Sequence, residues 1–446
     1  MPVSAARAAA FEILLRVERE QSYASELLHS SRFATLLASD HGLATELVMG
    51  VLRWRSLLDL RLAGASSQKL ERLDLEVLIA LRLGVYQLHF LSRIPARAAI
   101  FESVELVKAA RKRSAAPFVN AVLRKIGSAS PEVISDEIRD ADDPKKIAKS
   151  SAHPEWLVAR WVERYGLAET RQICVHDQSI PETAIHVHHG DVADELERAG
   201  VELSPGLLVS SARRVISGDV TATKAYREGR VSIQDEASQL VALLVGRGDR
   251  ILDCCAAPGS KTSLLAQRNP EAVVVAADLH VHRARLLGNL VRRPNVRVIV
   301  ADARALPFRG GFDRILVDVP CSGTGTLARN PEIKWRLNPT DLDDLQSRQI
   351  AILRSALTQL VPGGRLVYST CSLEREENEA VVEAVVRDAH ALKIVDCRGE
   401  LETLQRAGEH ACKDLDSLLA APYLRTLPGT HPCDGFFAAI IERLRP

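Results

Sequence analysis

The sequence predicts a doubly wound α/β domain in its second half, preceded by an all-α domain and a small α+β subdomain. From about residue 234 onward, short apolar runs alternate with amphipathic stretches, which is typical of strands joined by helices in a parallel sheet. Over residues 5–126, apolar residues recur every three or four positions, as on the core-facing side of helices. Between these regions, short strand and helix patterns alternate and indicate the smaller α+β unit.

We place the boundaries at residues 1–130 for the all-α domain, 131–150 for a linker, 151–233 for the α+β subdomain and 234–446 for the α/β domain. A helix break is expected at Asp40-His-Gly42. In the subdomain, strands are expected over 183–188 and 226–233. In the α/β domain, the pattern predicts strands over 250–254, 273–277, 296–300 and 314–317. One helix is expected to begin at about 260, a second to end at 290 and a third to cover 342–360.

Composition excludes several classes of protein. With 446 residues, 46% hydrophobic and 26% charged, the chain is an ordinary soluble protein of two or three domains. No apolar run reaches membrane-spanning length and no secretory signal is present, so we expect a cytoplasmic protein without membrane contact. We also expect a monomer. The eight cysteines follow no disulfide framework. No Cys/His set has zinc spacing, and we interpret the cluster of His186, His188 and His189 as non-metal.

A net charge of +1 hides a basic region near the end of the all-α domain. A phosphate-binding surface and a solvated helix end both explain such a cluster, and charge alone does not separate them. We take it as a candidate RNA-binding surface, formed by Arg93, Arg97, Arg111, Lys112, Arg113, Arg124 and Lys125.

The loop Asp253-Cys-Cys-Ala-Ala-Pro-Gly-Ser-Lys-Thr262 joins the first strand of the α/β domain to its helix. Small residues there allow close approach of a ligand to the backbone, and the helix start offers free N–H groups. The glycine spacing matches neither a P-loop nor G-x-G-x-x-G. A simple strand–helix turn explains the loop equally well when it is taken alone.

Acidic residues end the next two strands. Asp278 is placed to accept hydrogen bonds from ribose hydroxyls, and Asp302 to meet an adenine. Each acid alone is explained as well by a helix cap or a turn. The loop after the first strand and the two acids each lie at the end of a strand. Together they favour a nucleoside ligand that does not need a phosphate-binding motif. S-adenosylmethionine fits that description better than a dinucleotide.

Two further stretches each place a cysteine after an apolar strand: Ile315-Leu-Val-Asp-Val-Pro-Cys-Ser-Gly-Thr-Gly325 and Gly363-Gly-Arg-Leu-Val-Tyr-Ser-Thr-Cys-Ser-Leu373. Ligands bind at the carboxyl ends of strands in open α/β sheets, so Cys321 and Cys371 should lie on the reactive edge. A buried structural cysteine is the usual alternative. A methyl donor beside a thiol suggests alkylation of a carbon that needs activation, such as C5 of a pyrimidine.

The loop Asp253–Thr262, Asp318-Val-Pro-Cys-Ser-Gly-Thr-Gly325 and Ser369-Thr-Cys-Ser372 together resemble the RNA cytosine-5 methyltransferase family. The stretch Ala116-Pro-Phe-Val-Asn-Ala-Val-Leu-Arg-Lys-Ile126 resembles the last helix of the NusB family of RNA-binding domains. The combination is similar to the bacterial subgroup that acts on small-subunit ribosomal RNA. The resemblance implies a Rossmann-like S-adenosylmethionine methyltransferase domain behind a NusB-like domain, with ribosomal RNA as the partner.

The resemblance also implies roles for residues. Cys371 would be the nucleophile that adds to cytosine C6, and Asp318 would bind the edge of the base and stabilise the adduct. Cys321 would assist elimination and product release, and Lys261 would also reach the reaction centre. The cofactor pocket would be formed by Cys255, Ala256, Ala257, Pro258, Gly259, Ser260, Lys261, Asp278, Asp302 and Asp318.

The sequence departs from the family pattern in two places. Ser260 stands where the family loop has a second glycine, which is compatible with function unless that position needs a positive φ. His186-Val-His188 stands where the middle subdomain commonly has Arg-Val-Asn. The alternatives are the same chemistry on transfer RNA or another ribosomal site, and a non-catalytic RNA-binding assembly factor. The retained thiols argue against the assembly factor.

Overall fold

The computed structural model describes residues 3–33, 35–128, 138, 140–188, 190–308, 311–387 and 389–446. The chain divides into two compact units. The first unit comprises Met1–Ile180 and Leu327–Arg336, and the second comprises Pro181–Thr326 and Leu337–Pro446. The division differs from the predicted domain boundaries, because the stretch 151–180 and a ten-residue excursion of the α/β domain belong with the helical unit.

The first unit is helical throughout its described elements, in agreement with the predicted all-α domain. Its α-helices are Ala5–Glu20, Ala24–Leu28, Ala38–Arg53, Arg55–Ala65, Leu75–Phe90, Ala96–Ala109, Ala116–Gly127, Pro144–Ser150, Glu155–Asp177 and Ile333–Arg336. The break expected at Asp40-His-Gly42 is wrong, because these residues lie in the first turns of Ala38–Arg53, where a polar residue or a glycine is tolerated.

Part of the predicted linker is also helical. Residues 131–137 and 139 lie outside the described residues, whereas Pro144–Ser150 forms a short helix. Asp143 caps this helix, since its carboxylate accepts a hydrogen bond from the backbone N–H of Lys146 at 2.8 Å. Proline at the first helical position needs no hydrogen-bond partner for its nitrogen, so the sequence favours a helix start here.

The excursion Leu327–Arg336 is held inside the first unit by polar contacts. Lys334 is buried, and its ammonium donates to the backbone oxygens of Arg53 at 3.0 Å and Ala152 at 3.1 Å. The indole N–H of Trp335 donates to the backbone oxygen of Leu52 at 2.7 Å. Trp335 therefore packs within the protein. Burial lowers the pKa of Lys334, because the charged ammonium loses its hydration there.

The second unit begins with the small α+β subdomain. A four-stranded antiparallel sheet has the order β2-β3-β1-β4, with β1 Thr183–Val187, β2 Glu202–Pro205, β3 Ala212–Ser217 and β4 Val231–Ile233. The strand expected over 226–233 is wrong in its first half. There, the hydroxyl of Thr223 caps a helical turn, Lys224–Arg227, by accepting from the N–H of Tyr226 at 3.2 Å.

The rest of the second unit is built on a large mixed sheet. Its strands are β5 Arg250–Asp253, β6 Val273–Asp278, β7 Val296–Val300, β8 Phe312–Asp318, β9 Leu360–Thr370, β10 Leu392–Val395, β11 Leu419–Ala420, β12 Tyr423–Thr426 and β13 Phe436–Arg443. The order is β11-β12-β13-β9-β8-β5-β6-β7, and β10 pairs with β13. Strands β5 to β9 are parallel, as predicted, whereas β13 runs antiparallel to β9.

Helices connect these strands and cover the sheet: Glu236–Leu244, Ser260–Arg268, Val281–Leu290, Asp341–Gln359, Glu379–Val386 and Cys397–Arg406. Strands β5, β8 and β9 lie at the centre and are largely buried, which explains their continuous apolar sequences. None of the described helices is long and apolar enough to span a membrane. The parallel strands end at one edge, where the predicted site residues lie.

Candidate active site

The two cysteine loops meet at the carboxyl ends of β8 and β9. These strands pair in parallel with Asp318 opposite Ser369, so the two chains leave the sheet side by side. The hydroxyl of Ser369 donates to Asp318 Oδ1 at 2.7 Å. Cys321 and Cys371 follow, and their sulfur atoms are 3.4 Å apart. The structure thus brings together the two thiols that the sequence placed on one edge.

The close approach of the two sulfurs affects the ionisation of Cys321. The hydrogen bond with Cys371 and then burial raise the pKa of the Cys321 thiol well above its ordinary value. Two negative charges at this distance repel each other, so ionisation of one thiol opposes ionisation of the other. Ionisation of both thiols at the same time is therefore unfavourable.

Lys261 supplies a positive charge to the same edge. Its ammonium is 2.7 Å from Asp318 Oδ2 and 5.2 Å from the centre of the Phe436 ring. Burial by itself would lower the pKa of Lys261, but the charges of Asp318 and, more weakly, Cys371 raise it above the ordinary value. Lys261 thus remains a cation that stabilises negative charge on Asp318 and on the nearby sulfur.

A buried carboxylate fixes both cysteine loops. Glu377 accepts hydrogen bonds from the backbone N–H of Ser322 at 2.8 Å and from the amide of Gln349 at 2.9 Å. Its other oxygen accepts from the hydroxyls of Ser322 and Ser372, the residues that directly follow the two cysteines. The sequence pattern did not identify Glu377, because it ends the charged run Glu374-Arg-Glu-Glu377, and such a run is typical of the exposed start of a helix.

We expect Glu377→Ala to lower the free energy of unfolding of the second unit by about 3 kcal/mol, because several buried donors lose a charged acceptor. Urea denaturation followed by circular dichroism measures this change. Glu383→Ala is the matched control, since Glu383 pairs with Arg375 at the surface and should cost less than about 1 kcal/mol. Equal effects of the two variants would show that Glu377 does not anchor the loops.

Close backbone packing adds a second constraint on the cysteine loops. The N–H of Gly325 donates to the oxygen of Cys371 at 2.9 Å, and the N–H of Gly435 donates to the oxygen of Gly325 at 2.8 Å. A Cβ on Gly325 would lie 2.2 Å from the oxygen of Gly435. No side chain fits there, which accounts for glycine in both segments.

The loop over residues 255–261, called the cradle below, connects β5 to the helix Ser260–Arg268. Gly259 has φ of +116°, and a Cβ there would lie 2.5 Å from the side chains of Leu287 and Val291. Only glycine fits this position. Ser260 begins the helix Ser260–Arg268 and is not among the residues with positive φ. The serine is therefore compatible with the backbone at the position where the family loop has glycine.

Carboxylates surround this cradle. Asp253 is buried and accepts from the hydroxyl of Thr262 at 2.7 Å, and burial raises its pKa to about 7. Burial and then the charges of Asp253, Asp318 and Asp278 raise the pKa of the Cys255 thiol. Asp253, Asp318 and Asp278 thus place negative charge around the thiol of Cys255.

Comparison with known proteins gives the family. Residues 240–442 match the family model described as 16S rRNA methyltransferase RsmB/F, and residues 4–128 match that of the NusB family. A Bacillus subtilis protein described as a probable ribosomal RNA small subunit methyltransferase B is 35% identical over 461 residues, covering 99% of this chain and 100% of the relative. The chain belongs to the RsmB/F methyltransferase family.

Other relatives agree with the RsmB/F assignment. The ribosomal RNA small subunit methyltransferase B of Vibrio cholerae is 32% identical, over 91% of this chain and 90% of the relative. The crystal structure of PH0851 has the same fold, with a TM-score of 0.80 and 24% identity over 98% of each chain. These findings confirm the predicted fold class, with a NusB-like domain followed by a Rossmann-like methyltransferase domain.

Within this RsmB/F family member, the two acids after β6 and β7 are also used locally. Asp278 Oδ1 accepts from the N–H of His280 at 3.0 Å. Asp302 Oδ1 accepts from the N–H of Arg304 at 2.9 Å, and hydrogen bonds from Arg304 lower the pKa of Asp302. Both acids thus make the turn or cap contacts that were the alternative to ligand binding. Arg283 links Asp278 to the cradle. Its guanidinium donates to the backbone oxygen of Ala257 at 2.8 Å and lies 3.7 Å from Asp278 Oδ2.

The two histidines that depart from the family pattern have a structural use in the second unit. His186 Nε2 lies 3.0 Å from the amide oxygen of Gln267, and Arg293 Nη2 lies 2.9 Å from His188 Nδ1. They join β1 to the methyltransferase part of the unit. His189 lies outside the described residues. In the described ranges, no group of three or more His, Cys, Asp and Glu side chains is placed to hold a metal ion.

The candidate RNA-binding residues of the first unit lie at its surface. Arg93, Arg97, Arg111, Arg113, Arg124 and Lys125 are exposed, and Lys112 is half-buried. Lys112 pairs with Asp74 at 3.0 Å, and Lys125 lies 3.3 Å from the backbone oxygen of Ala65. Exposure is compatible with phosphate binding, which stays a prediction for this cluster.

Proposed function

We propose that the protein transfers a methyl group from S-adenosylmethionine to C5 of a cytosine in small-subunit (16S) ribosomal RNA. The observation that carries the proposal is the pair of thiols, 3.4 Å apart, beside the ion pair of Lys261 and Asp318. The names of the relatives support the ribosomal substrate. The cradle over residues 255–261 with its surrounding carboxylates supports the cationic methyl donor.

The first step activates the base. The Cys371 thiolate donates an electron pair to cytosine C6, forming the S–C6 bond, and the π pair of the C5–C6 bond moves to C5 and the N3 side of the ring. Asp318 contacts the N3 and N4 edge, and Lys261 holds Asp318 in place while adding positive charge. C5 thereby becomes nucleophilic enough to take a methyl group. S-adenosylmethionine held by residues 255–261 would supply it, and S-adenosylhomocysteine would be released when the S–CH3 bond of the donor breaks.

Elimination completes the reaction and needs Cys321. A thiolate at Cys321, formed when this thiol releases its proton to water, accepts the C5 proton. The freed electron pair restores the C5–C6 double bond and expels the Cys371 thiolate. The pKa of Cys321 is raised chiefly by the neighbouring Cys371. Once Cys371 is bonded to carbon it bears no charge, so formation of the adduct itself favours the Cys321 thiolate.

The RNA must present an unstacked base to reach Cys371, because C6 is not accessible within a stack. Loops and bulges of folded RNA offer such bases. We assign the exposed arginines and lysines of residues 93–125 to phosphate contacts that hold the RNA. In this assignment the NusB-like domain and the α+β subdomain bind RNA, and residues 234–446 carry the chemistry.

The experiment uses purified protein, methyl-labelled S-adenosylmethionine, and three substrates in parallel: unmodified small-subunit ribosomal RNA, small-subunit particles and transfer RNA. Nucleosides are then separated and counted. We expect label in 5-methylcytidine from small-subunit RNA or particles alone. Label in transfer RNA would keep the chemistry and overturn the substrate. Label in another nucleoside, or bound cofactor with no label in any substrate, would contradict the proposed reaction.

A further inference from the structure

A cavity of about 480 Å³ lies within the second unit, apart from the thiols. One wall is the turn between the short helix Lys224–Arg227 and β4. The other wall is the segment after the helix Val281–Leu290, with Ser263 of the helix Ser260–Arg268 between them. The cavity is open to solvent through exposed residues on both walls. No residue of the proposed reaction lines it.

The lining is rich in arginine, and its charges are unequally neutralised. Arg230 is bound by both oxygens of Glu195, at 2.6 and 2.9 Å, and by Glu228 at 2.8 Å. In contrast, Arg227, Arg292 and Arg293 form no ion pair with any carboxylate in the described part of the chain. These three guanidinium groups form the uncompensated positive charge of the cavity.

The contacts of these three arginines leave donors facing solvent. Arg227 and Arg292 use Nε to donate to the backbone oxygens of Thr223 at 3.3 Å and Asn289 at 3.0 Å. Both residues are exposed, so their terminal nitrogens are accessible. Arg293 is half-buried, and it is held by the hydroxyl of Ser263 at 3.3 Å and by His188 Nδ1 at 2.9 Å, so it has fewer free donors than the other two. A guanidinium with a fixed Nε and two accessible terminal nitrogens is suited to bind the oxygens of a phosphate.

Two features favour a nucleic acid over a small anion. Tyr226 lines the cavity with 36% of its surface exposed, which gives a base a ring to stack on. Ser263 lies two residues beyond Lys261 on one helix, which corresponds to a rise of about 3 Å. Residues two apart point to different sides of a helix, and an RNA strand, unlike a small anion, is long enough to contact both sides.

We propose that this cavity binds a backbone phosphate of the RNA substrate, with Arg227 and Arg292 as the phosphate ligands. The inference rests on the proposed RNA substrate and adds a binding site on the catalytic unit, separate from the basic residues of the NusB-like domain. The arginines bind RNA equally in the ground and transition states. They should therefore set the affinity for RNA and leave the chemical step unchanged.

The test compares two double variants that each remove two positive charges. Arg227→Gln/Arg292→Gln changes the cavity, and Arg354→Gln/Arg387→Gln is the control. Both control residues are exposed in the same unit, Arg354 on the helix Asp341–Gln359 and Arg387 directly after the helix Glu379–Val386. For each, the affinity for small-subunit RNA is measured by filter binding over a range of salt concentrations. Methylation rates at saturating RNA give kcat, and cofactor affinity with circular dichroism shows whether the variants are folded.

We expect the cavity variant to weaken RNA binding roughly tenfold and to reduce the slope of log affinity against log salt by about one to two. Its kcat should stay within about twofold of the wild-type value. The control should change affinity less than about twofold. Equal losses in both variants would show a general charge effect and overturn the inference. A lower kcat with unchanged RNA affinity would also overturn it.

Failure of the inference and failure of the proposed function give different results. If the wild-type protein methylates RNA and the cavity variant binds RNA like the control, the inference is wrong and the function stands. If the wild-type protein methylates no RNA, the function is wrong, and the binding measurement still decides whether the cavity contacts RNA.

Discussion

Cys371→Ala is expected to abolish methyl transfer, with a loss of at least about a thousandfold in kcat. C5 of cytosine is a weak nucleophile until a sulfur adds to C6, and alanine cannot form that bond. Binding of cofactor and RNA should persist, because Lys261 of the cradle keeps its ion pair with Asp318 and the basic surfaces do not include Cys371. Single-turnover rates with labelled cofactor, together with RNA filter binding, measure both quantities.

The matched control for this variant is Cys412→Ala. Cys412 is a half-buried free thiol whose sulfur lies 3.4 Å from the backbone oxygen of Asp414, in a loop away from both cysteine motifs. Its replacement should leave the rate within about twofold of the wild-type value. Methylation that continues in Cys371→Ala would remove this residue from the nucleophilic role.

Cys321→Ala is expected to have the second largest effect, the accumulation of a covalent protein–RNA complex. Addition by Cys371 and methyl transfer remain possible, whereas the C5 proton loses its acceptor and the S–C6 bond persists. A denaturing gel should show a slower band that carries both protein and methyl label. The double variant Cys321→Ala/Cys371→Ala is the control and should give no such band.

The pH dependence of this step follows from the thiol pair. Acceptance of the C5 proton needs the Cys321 thiolate, whose fraction grows as pH rises toward its pKa. Release of product by the wild-type protein should therefore become faster with increasing pH, and less RNA should remain bound to protein. A release rate that falls as pH rises would contradict the assignment of Cys321.

Much of the fold follows from local sequence patterns. Strands β5 to β8 and the helices among them were predicted nearly to the residue, because buried parallel strands are short apolar runs separated by amphipathic helices. The antiparallel part, β10 to β13, was not predicted. Its strands pair with partners far away in sequence, so local pattern gives little information on them. The helical turn at Tyr226 was missed because a capping threonine outweighed the strand pattern.

The sequence pattern identified those candidate site residues that follow the end of a strand and carry a reactive side chain. Cys321 and Cys371 meet because their strands are neighbours in register, which topology alone implies for adjacent parallel strands. Glu377 and Lys334 were not identified, since charged residues are rarely buried and their partners come from distant segments. The resemblance to a family ranked the two thiols, and their geometry does not by itself distinguish nucleophile from base.

The most direct test of the covalent mechanism is to map the linkage in the complex formed by Cys321→Ala. The complex is digested with protease and nuclease, and the cross-linked peptide is sequenced by mass spectrometry. The account predicts one peptide, containing Cys371 joined through sulfur to a cytidine that carries the transferred methyl group. A linkage at any other residue, or a methylated product released with no linked peptide, would contradict the mechanism.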